Sequence, residues 1–171
     1  MTKRLWAFIL FTVLTGTVIA DQVTKRMATE ALRWHAPHVY AGGVLTLLYT
    51  ENSGAFLSLG STLPPAVRTL IFNVLVAIAL VLALVYLVAG QSTDRTQAMA
   101  ITLFIAGGVG NLIDRVTHSG HVVDFVYLAA GPLHTGVFNV ADMAITTGAV
   151  LLLVAWFQES RRTTESVPPP A

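Results

Sequence analysis

The chain of 171 residues is strongly apolar: 54% of its residues are hydrophobic, 11% are charged, and the mean hydropathy is +0.69. The formal net charge is +1, without a block of basic residues, so the composition gives no support for nucleic-acid binding. Cysteine is absent, which excludes disulfides, thiolate metal ligands and a cysteine nucleophile. These values predict an all-α polytopic membrane protein rather than a soluble globular domain.

Four apolar segments are long enough to cross a bilayer, whose hydrocarbon core needs ~20 helical residues. The second segment follows Pro64 and Pro65, which suit a helix start because the first amide groups have no partner there. In the third, small residues four apart over 106–110 allow a neighbouring helix to approach closely. We predict a single membrane domain over residues 1–158, with spans at 5–22, 66–89, 98–113 and 137–157.

The first apolar segment also resembles a secretory signal peptide, because Lys3 and Arg4 precede it and small residues end it at Ala20. Three further spans follow, however, so the segment needs no separate explanation as an export signal. It also continues into Asp21 and Lys25, which lie on one helical face and can neutralise each other at the membrane interface. We therefore interpret this segment as a membrane span.

The segment over residues 23–63 is too polar and too interrupted by glycine to cross a membrane, and we predict that it is extracytoplasmic. Residues 24–34 are predicted to form an amphipathic surface helix. Residues 39–59 alternate apolar and small residues, which favours short strands. We expect a small β-containing segment beside the membrane, and we hypothesise that it covers the site until substrate is bound. Residues 159–171 are predicted to be a disordered cytoplasmic tail.

The distribution of Lys and Arg does not orient the chain by itself, because five lie on each side of the predicted spans. With the termini lie Lys3, Arg4, Arg95, Arg161 and Arg162, and on the opposite side lie Lys25, Arg26, Arg33, Arg68 and Arg115. The first helix often dominates topology, and its two leading basic residues predict that both termini are cytoplasmic. The segment 23–63 and the start of the fourth span are then outside.

Two aspartates, Asp124 and Asp142, lie at the edges of apolar segments. A charged side chain at the bilayer centre costs roughly 2.5 kcal/mol or more, so such a residue calls for a function and a partner. Asn139 and Asp142 are three residues apart and share a helix face, and Arg115 is well placed to hold a carboxylate. If the third and fourth spans pack together, the two aspartates approach, and a pair that shares one proton can both activate water and protonate a leaving group.

Other interpretations of these polar residues remain open from the residues alone. The aspartates could cap helices or hydrogen-bond between spans, as in a non-catalytic scaffold. A transporter or channel subunit would place its carboxylates near the midplane, often with inverted repeats that this sequence does not visibly contain. His118, His121 and Asp124 have a spacing that could hold zinc but lack the HExxH pattern. A serine nucleophile has no recognisable base among the loop residues Ser53, Ser58, Ser61 and Ser119.

Five short motifs accompany the four predicted spans. They are Asp21-Gln22-Val23-Thr24-Lys25, Glu51-Asn52-Ser53-Gly54-Ala55, Gly110-Asn111-Leu112-Ile113-Asp114-Arg115, Gly120-His121-Val122-Val123-Asp124-Phe125 and Phe138-Asn139-Val140-Ala141-Asp142. Together, over nearly the whole chain, they resemble the lipoprotein signal peptidase family, also called signal peptidase II. Two departures are Phe56, where a small residue is usual, and Ala106, where glycine is common. We therefore assign no role to Phe56.

The resemblance implies a bacterial inner-membrane aspartic endopeptidase that removes the signal peptide from prolipoproteins, on the amino side of a diacylglyceryl-modified cysteine. It implies that Asp124 and Asp142 are the catalytic pair, without a metal or organic cofactor. The positions implied to shape the site or hold substrate are Asp21, Lys25, Asn52, Gly54, Asn111, Asp114, Arg115, Asn139 and Ala141. The expected partners are lipidated prolipoproteins and membrane lipids, not nucleic acid, and the expected state is a monomer. The acid and base roles of the pair, and any role of His118 and His121, stay open.

Overall fold

The computed structural model describes residues 2–55, 59–90 and 94–165. Within this part of the chain, four helices are long and apolar enough to cross a membrane. They are Lys3–Leu32 (α1), Pro65–Val88 (α2), Arg95–Thr117 (α3) and Val140–Glu165 (α4), the last being apolar enough over Val140–Gln158. Four strands form one antiparallel sheet in the order β1-β2-β3-β4: His38–Tyr40 (β1), Leu45–Asn52 (β2), Val122–Ala130 (β3) and Leu133–His134 (β4).

Helix α3 is the centre of the bundle. Within the most apolar stretch of 18 residues in each helix, half of the residues of α3 are buried inside the protein. The corresponding share is 6% for α1, and none of these residues of α2 is buried. Its buried surface consists largely of small residues, such as Ala100, Ala106 and Gly107. A methyl group at Gly107 would collide with the backbone carbonyl of Ala141, so glycine is needed for α4 to lie this close. Such close packing supplies the attraction between helices where the surrounding lipid is as apolar as their side chains.

The outer faces of the bundle carry large apolar side chains. Phe8 and Phe11 on α1, Val81 and Leu82 on α2, and Leu153 on α4 are all exposed. Exposed apolar side chains in this number are those of a surface that faces hydrocarbon rather than water. The arrangement therefore separates a lipid-facing exterior from a polar interior at one end of α3.

The sheet is larger than the sequence analysis predicts. Strands β1 and β2 lie within residues 23–63, as expected, but β3 and β4 occupy 122–134, where we expected only a loop. The prediction of an all-α fold with β structure only between the first two helices is thus incomplete. The first three residues of β3 are all buried, so this strand lacks the alternation of apolar and polar residues that marks a half-buried strand.

Helix α1 is one continuous helix and runs through residues 24–32, which we predicted as a separate surface helix. No glycine or proline interrupts these residues, so the helix continues without a break past residue 22, where we predicted the end of the span. Helix α4 likewise continues to Glu165, over residues predicted to belong to the tail. Residues 166–171, and Phe56 in the altered motif, lie outside the described residues.

Candidate active site

Asn139 connects the two candidate catalytic aspartates. Its side-chain amide donates to Asp124 Oδ1 at 2.6 Å, and its Oδ1 accepts the backbone amide of Asp142 at 2.9 Å. In return, Asp142 Oδ2 accepts the backbone amide of Asn139 at 3.3 Å. This reciprocal pattern is that of a capping box at the start of α4. Asp142 therefore caps α4, which is the structural role considered above for these aspartates. Its other oxygen is directed at α3.

The second oxygen of Asp142 meets Asn111 on α3. The Asn111 side-chain amide donates to Asp142 Oδ1 at 2.9 Å, and the Asn111 Oδ1 accepts from Asn139 at 3.2 Å and from Lys25 Nζ at 2.9 Å. The orientation of the Asn111 side chain is thus fixed, because its oxygen accepts from the Lys25 ammonium and from the Asn139 amide. The result is a fixed donor beside Asp142.

Asp124 lies in β3, opposite Thr50 in the sheet register, and its side chain is only 2% exposed. Its Oδ2 accepts the side-chain amide of Asn52, the last residue of β2, at 3.0 Å. Burial and the neighbouring Asp142 carboxylate raise the pKa of Asp124 to about 6, against the opposing effect of the Asn52 and Asn139 amides and of Lys25. With this pKa, the Asp124 carboxyl group can both release and accept a proton near neutral pH.

A cavity of about 230 Å³ receives both carboxylates. Asn52, Gly108 and Phe72 contribute to its wall, so it lies between the sheet, α3 and the first half of α2. A larger cavity of about 540 Å³ adjoins it and shares Asn52, Asp142 and Thr146 as lining residues. The candidate pair therefore lies where a smaller chamber, which holds both carboxylates, meets a larger one, and the lining surface of both is mostly apolar.

Lys25 is the centre of a buried ionic network behind the cavity. Its Nζ lies 2.9 Å from Asp21 Oδ2 and 3.1 Å from Asp114 Oδ2, and all three side chains are buried. The other Asp21 oxygen accepts the backbone amide of Ala141 at 2.8 Å, and Asp114 Oδ2 accepts that of Val123 at 2.9 Å. Ala141 and Val123 each immediately precede a candidate catalytic aspartate. The network therefore fixes the backbone next to both of them.

Arg115 binds backbone rather than the carboxylate that we expected. Its two terminal nitrogens donate to the carbonyl oxygens of Gly54, at 2.8 Å, and of Asn111, at 3.3 Å. The guanidinium also lies 5.5 Å from the centre of the Phe72 ring, in the π-helical turn Leu70–Leu75 of α2. Arg115 thus fastens the chain after β2 to α3, and its buried Nε has no hydrogen-bond partner in the described residues.

Gln22 belongs to this site, although the sequence analysis gives it no role. Its side-chain amide lies 3.1 Å from each of three acceptors, which are Asp21 Oδ2, Asp114 Oδ1 and the carbonyl oxygen of Gly110. A methyl group at Gly110 would lie 2.5 Å from Asp21 Oδ2, so the small residue leaves room for this carboxylate. The only available signal for Gln22 was its position directly after Asp21.

His118 and His121 lie just after the end of α3, and their ring nitrogens contact nearby residues of the chain. The His118 Nδ1 lies 3.0 Å from Thr117 Oγ1, and the His121 Nδ1 lies 3.2 Å from the carbonyl oxygen of His118. Within residues 2–55, 59–90 and 94–165, no three His, Asp or Glu side chains come together as a metal site would require. The spacing that suggested zinc is therefore not matched by a cluster of ligands in the described residues.

The model for signal peptidase (SPase) II matches residues 13–158 of the chain. The chain belongs to the signal peptidase II family. Two relatives named lipoprotein signal peptidase support the assignment. The protein from Syntrophus aciditrophicus (strain SB) is 32% identical over 154 residues, which cover 90% of this chain and 95% of the relative. The protein from Streptococcus pneumoniae (strain ATCC BAA-255 / R6) is 30% identical, with coverage of 93% and 97%.

The fold is also that of a solved bacterial membrane enzyme, determined by the in meso method at 2.3 Å resolution. The two structures agree with a TM-score of 0.79 over 95% of this chain and 94% of that chain, at 24% identity. A second bacterial membrane enzyme, solved at 1.9 Å, gives a TM-score of 0.72. As a member of the signal peptidase II family, the chain is a protease and a multi-pass protein of bacterial membranes.

Proposed function

We propose that this member of the signal peptidase II family is an aspartic endopeptidase with Asp124 and Asp142 as its catalytic pair. Its substrates are prolipoproteins that carry a diacylglyceryl-modified cysteine, and it cleaves on the amino side of that cysteine. The observation that carries the proposal is the pair itself. Both carboxylates line one 230 Å³ cavity, and one side chain, Asn139, hydrogen-bonds to both residues.

The chemistry follows from one proton shared by the two carboxyl groups. The ionised group removes a proton from a water molecule, and the resulting hydroxide attacks the scissile carbonyl carbon. The protonated group donates to the carbonyl oxygen, which gives a neutral tetrahedral intermediate. When the C–N bond breaks, the group that took the proton of water donates it to the amine of the lipidated cysteine, and the other group takes a hydroxyl proton of the intermediate, which restores the shared proton. Because the groups titrate together, acid and base are roles of the pair rather than fixed labels.

The cavities favour a substrate that is partly lipid. The 540 Å³ chamber adjoins the pair, and its lining surface is mostly apolar although it includes several polar residues; Val137, Phe138 and Met143 are among those that line it. A diacylglyceryl group can lie in such a chamber with the remainder of its acyl chains in the bilayer. We place the aspartates at the extracytoplasmic end of the spans and both termini in the cytoplasm, with β2 and the chain that follows it covering the site. The working unit in this proposal is a monomer, residues 1–158 are its single domain, and neither metal nor cofactor takes part.

The decisive experiment presents the purified protein with a diacylated prolipoprotein and with its unlipidated form. We expect cleavage of the lipidated form only, and we expect Asp124→Asn and Asp142→Asn each to lower the rate by about 10⁴-fold or more. Glu30→Gln is the matched control, because it neutralises a carboxylate of an exposed ion pair with Arg26. A rate near that of the unchanged protein in either aspartate variant would contradict the catalytic pair, and equal cleavage of both substrates would contradict the lipid requirement.

A further inference from the structure

A separate cavity of about 540 Å³ lies at the end of the bundle opposite to the aspartates. It is formed where α1 and α3 begin and α2 ends, and its lining includes Lys3, Trp6, Leu87 and Arg95. Asp21 follows Lys3 by 18 residues (21 − 3), which is about 27 Å along a helix. This slot, as we call it, therefore has no part in the candidate active site.

The mouth of the slot is cationic. Lys3 and Arg95 reach it from two different helices, and the Arg95 guanidinium lies 5.8 Å from the centre of the Trp6 ring. Asp94 also lines the slot, but its carboxylate accepts the backbone amide of Gln97 at 3.1 Å as the cap of α3. The slot thus presents two cations and one carboxylate that already caps a helix, which favours an anionic ligand.

The inner part of the slot is apolar. Ala7, Leu10, Leu87 and Ala98 line it, and along α1 Trp6 lies about one turn after Lys3 and one turn before Leu10. Tryptophan at the end of a membrane helix typically lies at the level of the lipid headgroups. A ligand that fills the slot therefore needs an anionic group at one end and a hydrocarbon chain at the other.

We propose that the slot binds an anionic phospholipid, with its phosphate between Lys3 and Arg95 and one acyl chain along Leu10 and Leu87. A free phosphate ion would leave the apolar part of the slot empty. A zwitterionic lipid would bring a positive charge towards two basic residues. The anionic phospholipid matches both the charge and the apolar depth, and its site is distinct from that for substrate.

Native mass spectrometry of the purified full chain can test this proposal with phosphatidylglycerol and phosphatidylcholine of identical acyl chains, and with inorganic phosphate. We expect one phosphatidylglycerol to bind more tightly than phosphatidylcholine. Arg95→Gln should weaken phosphatidylglycerol binding about fivefold, and the double variant Lys3→Gln, Arg95→Gln about thirtyfold. Leu87→Trp should weaken it too, because it keeps both charges and fills the slot. Arg26→Gln, an exposed basic residue near the opposite end of α1, is the matched control and should change nothing.

Equal affinity for the two lipids in the unchanged protein would overturn the proposal. So would an equal loss in Arg26→Gln, because binding would then depend on charge anywhere on the surface. Displacement of the lipid by inorganic phosphate at a similar concentration would identify a free-anion site instead. If the double variant does not fold, Arg95→Gln and Leu87→Trp decide the matter by themselves, and unchanged lipid affinity in both would refute the proposal.

Discussion

The two candidate catalytic aspartates are positioned by two different parts of the fold. Asp142 belongs to the start of α4 and is held locally, by the capping box with Asn139. Asp124 belongs to the interior of the sheet, and its side-chain partners come from distant positions, Asn52 and Asn139. Behind each of them, a buried carboxylate binds the preceding backbone amide: Asp21 binds that of Ala141, and Asp114 that of Val123. Only Asp142 thus has a partner within its own helical turn, whereas both aspartates are also supported by residues that are distant in the sequence.

Lys25 joins these two supports, so its loss should have the largest effect on the fold. Lys25→Met keeps the length of the side chain but leaves Asp21 and Asp114 buried without their common cation. We expect the free energy of unfolding to fall by about 3–5 kcal/mol, as when one partner of a buried ion pair is removed. Thermal unfolding in detergent measures this, with Arg26→Met at an exposed ion pair as the control. A fall of less than 1 kcal/mol would mean that the two supports are independent.

The strand support also predicts a pH dependence of stability that belongs to Asp124. Its pKa is raised from 3.8 to about 6 in the folded protein, so the folded state holds this proton more tightly than the unfolded state does. The stabilisation is complete below about pH 4 and is lost as the pH rises through 6, and the full loss by neutral pH amounts to about 3 kcal/mol. Asp124→Asn should remove this component.

The measurement compares the free energy of unfolding of the unchanged protein and of Asp124→Asn at pH 4 and at pH 7. Between these two pH values, the difference between the two proteins should shift by about 2.4 kcal/mol in favour of the variant at the higher pH. Asp142→Asn is the contrasting variant, because it also disturbs the capping box and should lose about 1 kcal/mol of helix stability in addition. A pH-independent difference for Asp124→Asn would show that folding does not raise the pKa of this carboxyl group.

The buried carboxylates of Asp21 and Asp114 support the backbone next to the two candidate catalytic residues. Removing either carboxylate should lower turnover rather than substrate affinity. Asp21→Ala leaves the Ala141 amide without its acceptor, and Asp114→Ala does the same for Val123. We expect each variant to lower kcat up to about 10²-fold with little change in KM, since a displacement of about 1 Å at a catalytic group has that effect. The conservative variants Asp21→Asn and Asp114→Asn retain one oxygen and should recover part of the loss.

The double variant Asp21→Ala, Asp114→Ala tests whether Lys25 couples the two supports. Coupled residues lose less together than the product of their separate effects, whereas independent residues give the full product. A rise in KM with unchanged kcat in either single variant would assign that carboxylate to substrate binding instead of positioning.

The four apolar helices could be predicted from hydropathy, because a membrane span needs only length and apolar composition. The structure of the polar end of the bundle was harder to predict. Val122 and Val123 are both buried at the start of β3, so that strand shows no alternation and read as a loop. Residues 24–32 contain no helix breaker, but the contact of Lys25 with Asp114, which packs this part of α1 against the bundle, is long-range and is not contained in a local pattern. The motifs drew attention to the aspartates, whose catalytic role remains a prediction, and to Lys25, but not to the second side chain that bridges the same two supports.

That side chain is Gln22, and its replacement should have the smallest effect of those considered. The Gln22 amide is neutral and donates to Asp21, Asp114 and the Gly110 carbonyl, so it supplements the ion pairs of Lys25 without replacing them. Gln22→Leu keeps the volume and removes the donor, and we expect a loss of about 1–2 kcal/mol in unfolding free energy. Gln22→Glu is the sharper variant, because a third carboxylate beside Asp21 and Asp114 leaves one lysine to neutralise three charges. Thermal unfolding should therefore rank Glu below Leu, and the reverse order would show that Gln22 only fills space.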